Sequence, residues 1–306
     1  MTTLEASSVI APLEFEYLDL SEGRLVEYQW AWDYQREIHA KVAAEEAPGR
    51  VLLLEHAPVY TAGRRTKPED MPFDGTPVIQ VDRGGEITWH GPGQLVGYPI
   101  IKLPARIGVV DHVRRMESAI IAVLAEYGIV GGRVQARTGV WLDASDARPV
   151  TARADSLWDA DRTRRPVSGD PIGVIGDAAE TSGRGSTRAD SGTSGTTNGG
   201  GSNISFPSDL ANVLAVPARP ERKISAIGIR VSKRTTMHGF AININDSTAA
   251  AFSNIVPCGI SDAGVTSMAA ELPAAPPLME VAQRIEPHLR RCLDYSRPTA
   301  DILAED

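Results

Sequence analysis

The chain has little cysteine, no excess of positive charge and no long apolar run, and each shortage closes off a class of protein. Its two cysteines, Cys258 and Cys292, form no CxxC pair, which argues against a disulfide framework or a zinc site and for a reducing compartment. The formal net charge of -8 and pI of about 5.4 argue against a general nucleic-acid binder, for which a basic stripe is expected. No stretch reaches the roughly 18 apolar residues that a membrane span requires. The first twenty residues carry Glu5, Glu14, Glu16 and Asp19 without a basic region leading into an apolar run, so no signal peptide is expected and the chain is assigned to the cytoplasm. No GxxxxGK[ST] phosphate loop occurs.

What is present is ordinary globular material. With 306 residues, 42% hydrophobic and 23% charged, the chain suffices for one large or two ordinary domains. Apolar residues at Tyr28, Trp32, Ile38 and Val42 predict a covering helix within residues 25–46. Residues 50–54, Arg-Val-Leu-Leu-Leu, form an apolar run suited to a strand buried on both faces. A charged loop with His56, Arg64, Arg65 and Lys67 is expected next. Strands follow at residues 77–81 and 95–103, then a helix capped by Asp111, with Val113, Met116, Ile120, Val123, Leu124 and Tyr127 on one stripe and Gly128 as its stop. Residues 137–142 read as a short strand.

From about 144 to 220 the composition shifts to Gly, Ser, Thr, Asp and Arg, including a Gly199-Gly200-Gly201 run. Such a segment buries too little apolar surface to offset its ordering entropy, so a disordered insertion between paired strands is expected. Strands resume at residues 223–231 and 238–245, joined by a turn over 232–237, and residues 278–293 form an amphipathic helix kinked at Pro287. That helix places Cys292 at its edge, a poor position for a nucleophile.

Two stretches carry chemistry. Residues 83–94, Arg-Gly-Gly-Glu-Ile-Thr-Trp-His-Gly-Pro-Gly-Gln, hold four glycines, which let backbone approach a ligand or another backbone closely. The alternative is a tight hairpin with His90 as a hydrogen-bonded structural residue. Residues 223–259 offer Lys223, Cys258 and two strands to hold them together. A thiol with a pKa of about 8.5 is mostly protonated at neutral pH, so a cationic neighbour favours the nucleophilic thiolate. Lys223 can be that neighbour or the proton carrier; the bland alternative makes Cys258 a small buried hydrophobe and Lys223 a solvated strand start. In the first strand Ala226 and Gly228 share a face, leaving room against the sheet.

Taken in order, Arg83-Gly84-Gly85-x-x-Thr88-x-His90-Gly91-Pro92-Gly93-Gln94, Thr138-Gly139-Val140-Trp141, Lys223-Ile224-x-Ala226-Ile227-Gly228, His238-Gly239-Phe240-Ala241-x-Asn243 and Pro257-Cys258-Gly259 resemble the lipoyl(octanoyl) transferases over roughly residues 15–143 and 221–295. The resemblance implies an α/β fold, a mixed sheet flanked by helices as in lipoate and biotin protein ligases. It implies one catalytic domain from residues 1–143 and 221–306, with a smaller lobe from about 222. It implies transfer of an octanoyl group from octanoyl-acyl carrier protein to a lysine of lipoyl domains, those of 2-oxoacid dehydrogenase E2 subunits and of glycine cleavage H protein, as the first step of protein lipoylation. Cys258 matches the family's acyl-enzyme cysteine and Lys223 the lysine that tunes it. Substrate contacts match Arg83, Gly84, Gly85, Glu86, Ile87, Thr88, Trp89 and His90, then Ala226, Ile227 and Gly228, then Gly239, Phe240 and Ala241. No cofactor, metal, nucleic acid or membrane is implied. The insertion before Lys223 departs from the family pattern. A cysteine-dependent thioester hydrolase, an acyl-protein binding module and an ATP-dependent lipoate ligase are the rival readings.

Overall fold

The computed structural model describes residues 12–72, 75–135, 137–144, 148–149, 215–216, 219–255 and 263–305. The chain divides into two compact units, Met1–Ser145 with Arg219–Asp306, and Asp146–Ala218. In the first unit the strands are β1 (Glu14–Tyr17), β2 (Arg50–Leu54), β3 (Val59–Ala62), β4 (Val78–Gln80), β5 (Ile87–His90), β6 (Gln94–Ile100), β7 (Gly132–Val134) and β8 (Arg137–Leu142). The second unit contributes β9 (Arg148–Pro149), antiparallel to β10 (Ala215–Val216); residues 145–147, 150–214 and 217–218 of the segment expected to be disordered lie outside the described residues. The first unit resumes with β11 (Arg222–Ser232), β12 (Thr235–Asn243) and β13 (Gly264–Val265). Its helices are α1 (Tyr28–Ala43), α2 (Val109–Glu126), α3 (Ser247–Phe252), α4 (Met268–Glu271), α5 (Leu278–Cys292) and α6 (Thr299–Leu303).

An eight-stranded mixed sheet runs β1-β2-β6-β12-β11-β8-β7, with β13 parallel to the start of β11. β11 and β12 lie inside this strand order, and they and β13 belong to the same compact unit as the N-terminal strands. β2 shows why the Arg-Val-Leu-Leu-Leu run has no polar alternation. Val51 and Leu53 face a core with Met116, Ile120, Leu124, Ile285 and Leu289 of α2 and α5, while Leu52 and Leu54 face Ile38 and Val42 of α1. Each of the four is fully buried, so helices must cover both faces of the sheet.

Several local expectations need correction. Asp111 is not the residue that starts α2. It sits in the first turn, and its carboxylate accepts the Gly108 N–H at 3.0 Å, so it stabilises the helix start from inside the helix. The turn between β11 and β12 shrinks to Lys233 and Arg234, both at positive φ (50° and 60°), as a two-residue hairpin with primed-turn twist demands. Strand β3 lies in the stretch read as charged loop; its four residues are too few to show a period. Cys292 ends α5 fully buried. Arg115, also fully buried, donates to the Cys292 carbonyl at 2.8 Å and the Asp294 carbonyl at 3.0 Å, which satisfies acceptors left over at the end of α5. Among the described residues no helix is long and apolar enough to cross a membrane.

Candidate active site

A second, three-stranded sheet, β4-β3-β5, carries the glycine-rich stretch. β5 pairs with β3 whereas β6 pairs with β2 and β12, so Gly91-Pro92-Gly93 is a corner between sheets and not a hairpin. His90 is nonetheless hydrogen-bonded, its Nδ1 2.7 Å from Gln94 Oε1. Gln94 Nε2 donates to Asn243 Oδ1 at 2.9 Å, and Asn243 Nδ2 to the Thr266 carbonyl at 2.9 Å. The Thr266 N–H then donates to the Lys223 carbonyl at 3.0 Å, so one chain of bonds joins the corner to the backbone of β11.

Arg83 closes the other end of the loop. Its guanidinium donates to the carbonyl and hydroxyl of Thr61 (2.7 and 2.9 Å) and to the carbonyls of Glu86 (2.8 Å) and Gly84 (3.0 Å). These bonds shape the Arg83-Gly84-Gly85 turn, with Gly85 at φ +85°. The turn is seated on β11 through the Gly84 N–H, which donates to the Ile229 carbonyl at 3.1 Å.

Between this loop and the eight-stranded sheet lies a cavity of about 340 Å³. Its floor is made of small residues in register across the hairpin, Ala226 opposite Ala241 and Gly228 opposite Gly239. A Cβ on Gly239 would stand 2.0 Å from the Gly97 carbonyl oxygen, so only glycine fits there. Arg83, Gly84, Gly85, Glu86, Ile87, Thr88 and His90 line the cavity together with Lys223, Ala226, Ile227, Gly228, Gly239, Phe240 and Ala241. Trp89 does not. It packs instead with Tyr60, Phe252 and Ile255, in a cluster that Ile87 also joins.

Lys223 and Ala226 are an odd number of positions apart, and a regular strand would send them to opposite faces. β11 slips register against β8 between Lys223 and Ser225. The irregularity restarts the alternation, as a bulge does, and both residues reach the cavity. Lys223 is almost wholly buried, with Nζ 5.0 Å from the centroid of the Trp141 ring.

Sequence reasoning missed Tyr28, Arg65, Tyr98, Arg137, Thr138 and His238 as lining residues. His238 stood in the His-Gly-Phe-Ala motif and Tyr28 headed the α1 stripe, so a signal existed for both. His238 has φ +60° and its Nε2 lies 3.1 Å from Asp82 Oδ1; Asp82 also pairs with Arg230. Burial pulls His238 and His56 down to about 4 and His90 to about 3, so all three rings are neutral near pH 7. His56 bridges the Val26 carbonyl and the Tyr98 hydroxyl. The same burial pushes the Tyr28 hydroxyl up to about 12. The lining therefore combines neutral aromatic polar groups with the guanidinium groups of Arg65, Arg83 and Arg137, the Glu86 side chain and the amine of Lys223. Cys258 lies outside the described residues.

Residues 27–290 match the family model described as lipoyl protein ligase A/B catalytic domain. An octanoyltransferase of Cutibacterium acnes is 45% identical over 93% of this chain and 82% of its own length. One from Streptomyces coelicolor is 46% identical over 88% and 89% respectively. The chain belongs to the octanoyltransferase family. It is an acyltransferase, and its activity is octanoyl transfer in lipoylation. The octanoyltransferase fold extends to more distant proteins: a lipoate protein ligase-like protein of T. acidophilum, solved with bound lipoic acid, superposes with a TM-score of 0.50 over 96% of this chain and 93% of that one. Identity is 11%, so that likeness is one of fold.

Proposed function

We propose that the enzyme takes an octanoyl group from octanoyl-acyl carrier protein onto Cys258 as a thioester and passes it to a lysine of a lipoyl domain, in 2-oxoacid dehydrogenase E2 subunits and glycine cleavage H protein. The observation that carries this reading is Lys223, a nearly buried amine lining a cavity whose floor is made of small residues. Just beyond Cys258 in sequence, the chain returns to that lysine as β13, whose Val265 is paired with Lys223. On the other side of Cys258, Ile255 packs with Trp89 and Tyr60 beneath the glycine-rich loop.

In the first step the Cys258 sulfur attacks the thioester carbonyl, a new C–S bond forms, and the carrier thiol leaves with a proton supplied through Lys223. In the second, the acceptor amine attacks the acyl-enzyme, a C–N bond forms, the C–S bond breaks, and the amine proton returns by way of Lys223. A lysine in water has a pKa of about 10.4, so the acceptor needs a base at hand to attack as the neutral amine. Thioester becomes amide, so the exchange runs downhill without ATP. Backbone N–H groups at Cys258-Gly259 and along residues 83–93 are the candidates to receive the oxyanion. The octanoyl tail lies over Ala226, Gly228, Gly239 and Ala241, where each buried methylene contributes about 0.8 kcal/mol.

The donor must dock at the cavity mouth. Arg65 lines the cavity, and with Arg64 and Lys67 it forms an exposed loop whose side chains have no carboxylate partner among the described residues. On a chain of net charge -8, that loop is the local attraction for an acidic carrier protein.

Intact-mass measurement after mixing enzyme with octanoyl carrier protein tests the route. An octanoyl adduct that is absent from Cys258→Ala and discharges onto a lipoyl domain is expected. Discharge to free octanoate selects a hydrolase, and no adduct with transfer intact removes the thioester route.

A further inference from the structure

The bulge that turns Lys223 into the cavity is held by residues that line no part of it. Opposite the bulge stands Gly139 of β8, at φ +105°, a conformation that side chains rarely adopt. A Cβ there would stand 2.2 Å from the Ser225 carbonyl oxygen and 2.8 Å from Lys223 Cε. The lysine stem thus occupies the space that a side chain at position 139 would need. The Gly139 N–H does not point at β11 for a ladder bond. It donates at 3.0 Å to Oε1 of Glu117 on α2, a fully buried carboxylate. The other oxygen of Glu117 pairs with Arg114 at 2.7 Å and Arg133 at 3.1 Å.

A buried carboxylate is costly unless it is paired and hydrogen-bonded, and this one spends one oxygen on a single glycine N–H. We infer that Glu117, acting through Gly139, is a positioning residue that holds the β11 bulge in the register presenting Lys223 to the cavity. Glu117 fixes the peptide of Gly139, Gly139 leaves a seat for the lysine stem, and the bulge sets the side to which the stem turns. The consequence for catalysis rests on the proton-carrying role proposed above for Lys223, whereas the placement of the lysine does not.

Two readouts separate these claims. The first is labelling of Lys223 in the folded enzyme by acetic anhydride, followed by peptide mass. Burial protects the amine in the parent; Glu117→Ala is expected to raise its labelling rate at least fivefold, and Gly139→Ala to do the same if it folds. Arg114→Met, which removes an ion pair but leaves the Glu117 to Gly139 bond, is the control and is expected to leave labelling within twofold of the parent. The second readout is the pH profile of octanoyl transfer, normalised to folded fraction by thermal melts. Glu117→Ala is expected to lower kcat about tenfold and to displace the profile in the direction that Lys223→Ala does, with the KM for donor unchanged. Parental labelling of Lys223 in folded Glu117→Ala, or equal labelling in Glu117→Ala and Arg114→Met, overturns the inference. Full transfer by Lys223→Ala would instead overturn the role proposed for the lysine, and the labelling result would still decide the positioning.

Discussion

Lys223 and Trp141 are paired Cα to Cα across β11 and β8, and the amine of one sits 5.0 Å from the ring centroid of the other. An ammonium over an indole face is worth about 0.5–2 kcal/mol, more where water is excluded. The ring therefore both shields and holds the lysine head. Trp141→Leu is expected to lower transfer about tenfold per folded molecule, while Trp141→Phe, which keeps a ring face, should lose no more than threefold. Steady-state kinetics of both, corrected for folded fraction, check this; equal losses would show that only bulk matters at position 141.

Gly228 meets the glycine-rich loop at close range, since a Cβ there would stand 3.0 Å from Arg83 Cδ. A larger side chain must enter the cavity and shorten it. Gly228→Leu is expected to lower kcat/KM for octanoyl at least tenfold and for hexanoyl less, because neighbouring chain lengths differ by only about 1–3 kcal/mol in such a pocket. Competition between the two donors reads the ratio directly. An unchanged ratio would place the tail elsewhere.

Arg64 and Arg65 are exposed beside the mouth. Arg64→Glu combined with Arg65→Glu is expected to raise the KM for octanoyl carrier protein about tenfold at low salt and to flatten its dependence on ionic strength. A small octanoyl thioester should be used as well by the variant as by the parent. If both donors weaken together, the two arginines shape the cavity rather than the encounter.

Much of this architecture was legible because burial writes itself into sequence. The unbroken apolar run at Val51 to Leu54 announced a strand covered on both faces, and the stripe from Met116 to Leu124 announced α2. The small-residue face of Ala226 and Gly228 announced a space above the sheet. The features that aim chemistry were less visible. A bulge at Lys223 to Ser225 leaves no composition signal, and the use of Arg83 to hold carbonyls looks in sequence like a charge awaiting a substrate. His238 escaped selection because its burial and its Asp82 partner come from residues far along the chain.

Four histidines are stored neutral in this fold. Burial holds His56 and His238 down at about 4, and His90 and His112 at about 3, against an ordinary 6.5. Protons bind the unfolded chain more readily than the native one below pH 6.5, so stability rises with pH there and is fully present above it. Falling pH removes that contribution as it drops from 6.5 towards 4, by about 2 kcal/mol per histidine at pH 5. The melting temperature is therefore expected to be flat from pH 8 to 7 and to fall by more than 10 °C between pH 7 and 5, and His112→Phe, remote from the cavity, should soften that fall without altering transfer at pH 7.5. His112 donates or accepts only through Nδ1, at 2.6 Å from the Tyr295 hydroxyl, while its buried Nε2 has no hydrogen-bond partner. Protonation would leave a charge there with Arg115 close by, the arrangement least able to accommodate it. A melting temperature that does not change between pH 7 and 5 would mean these rings take up protons in the native state as readily as in the unfolded one.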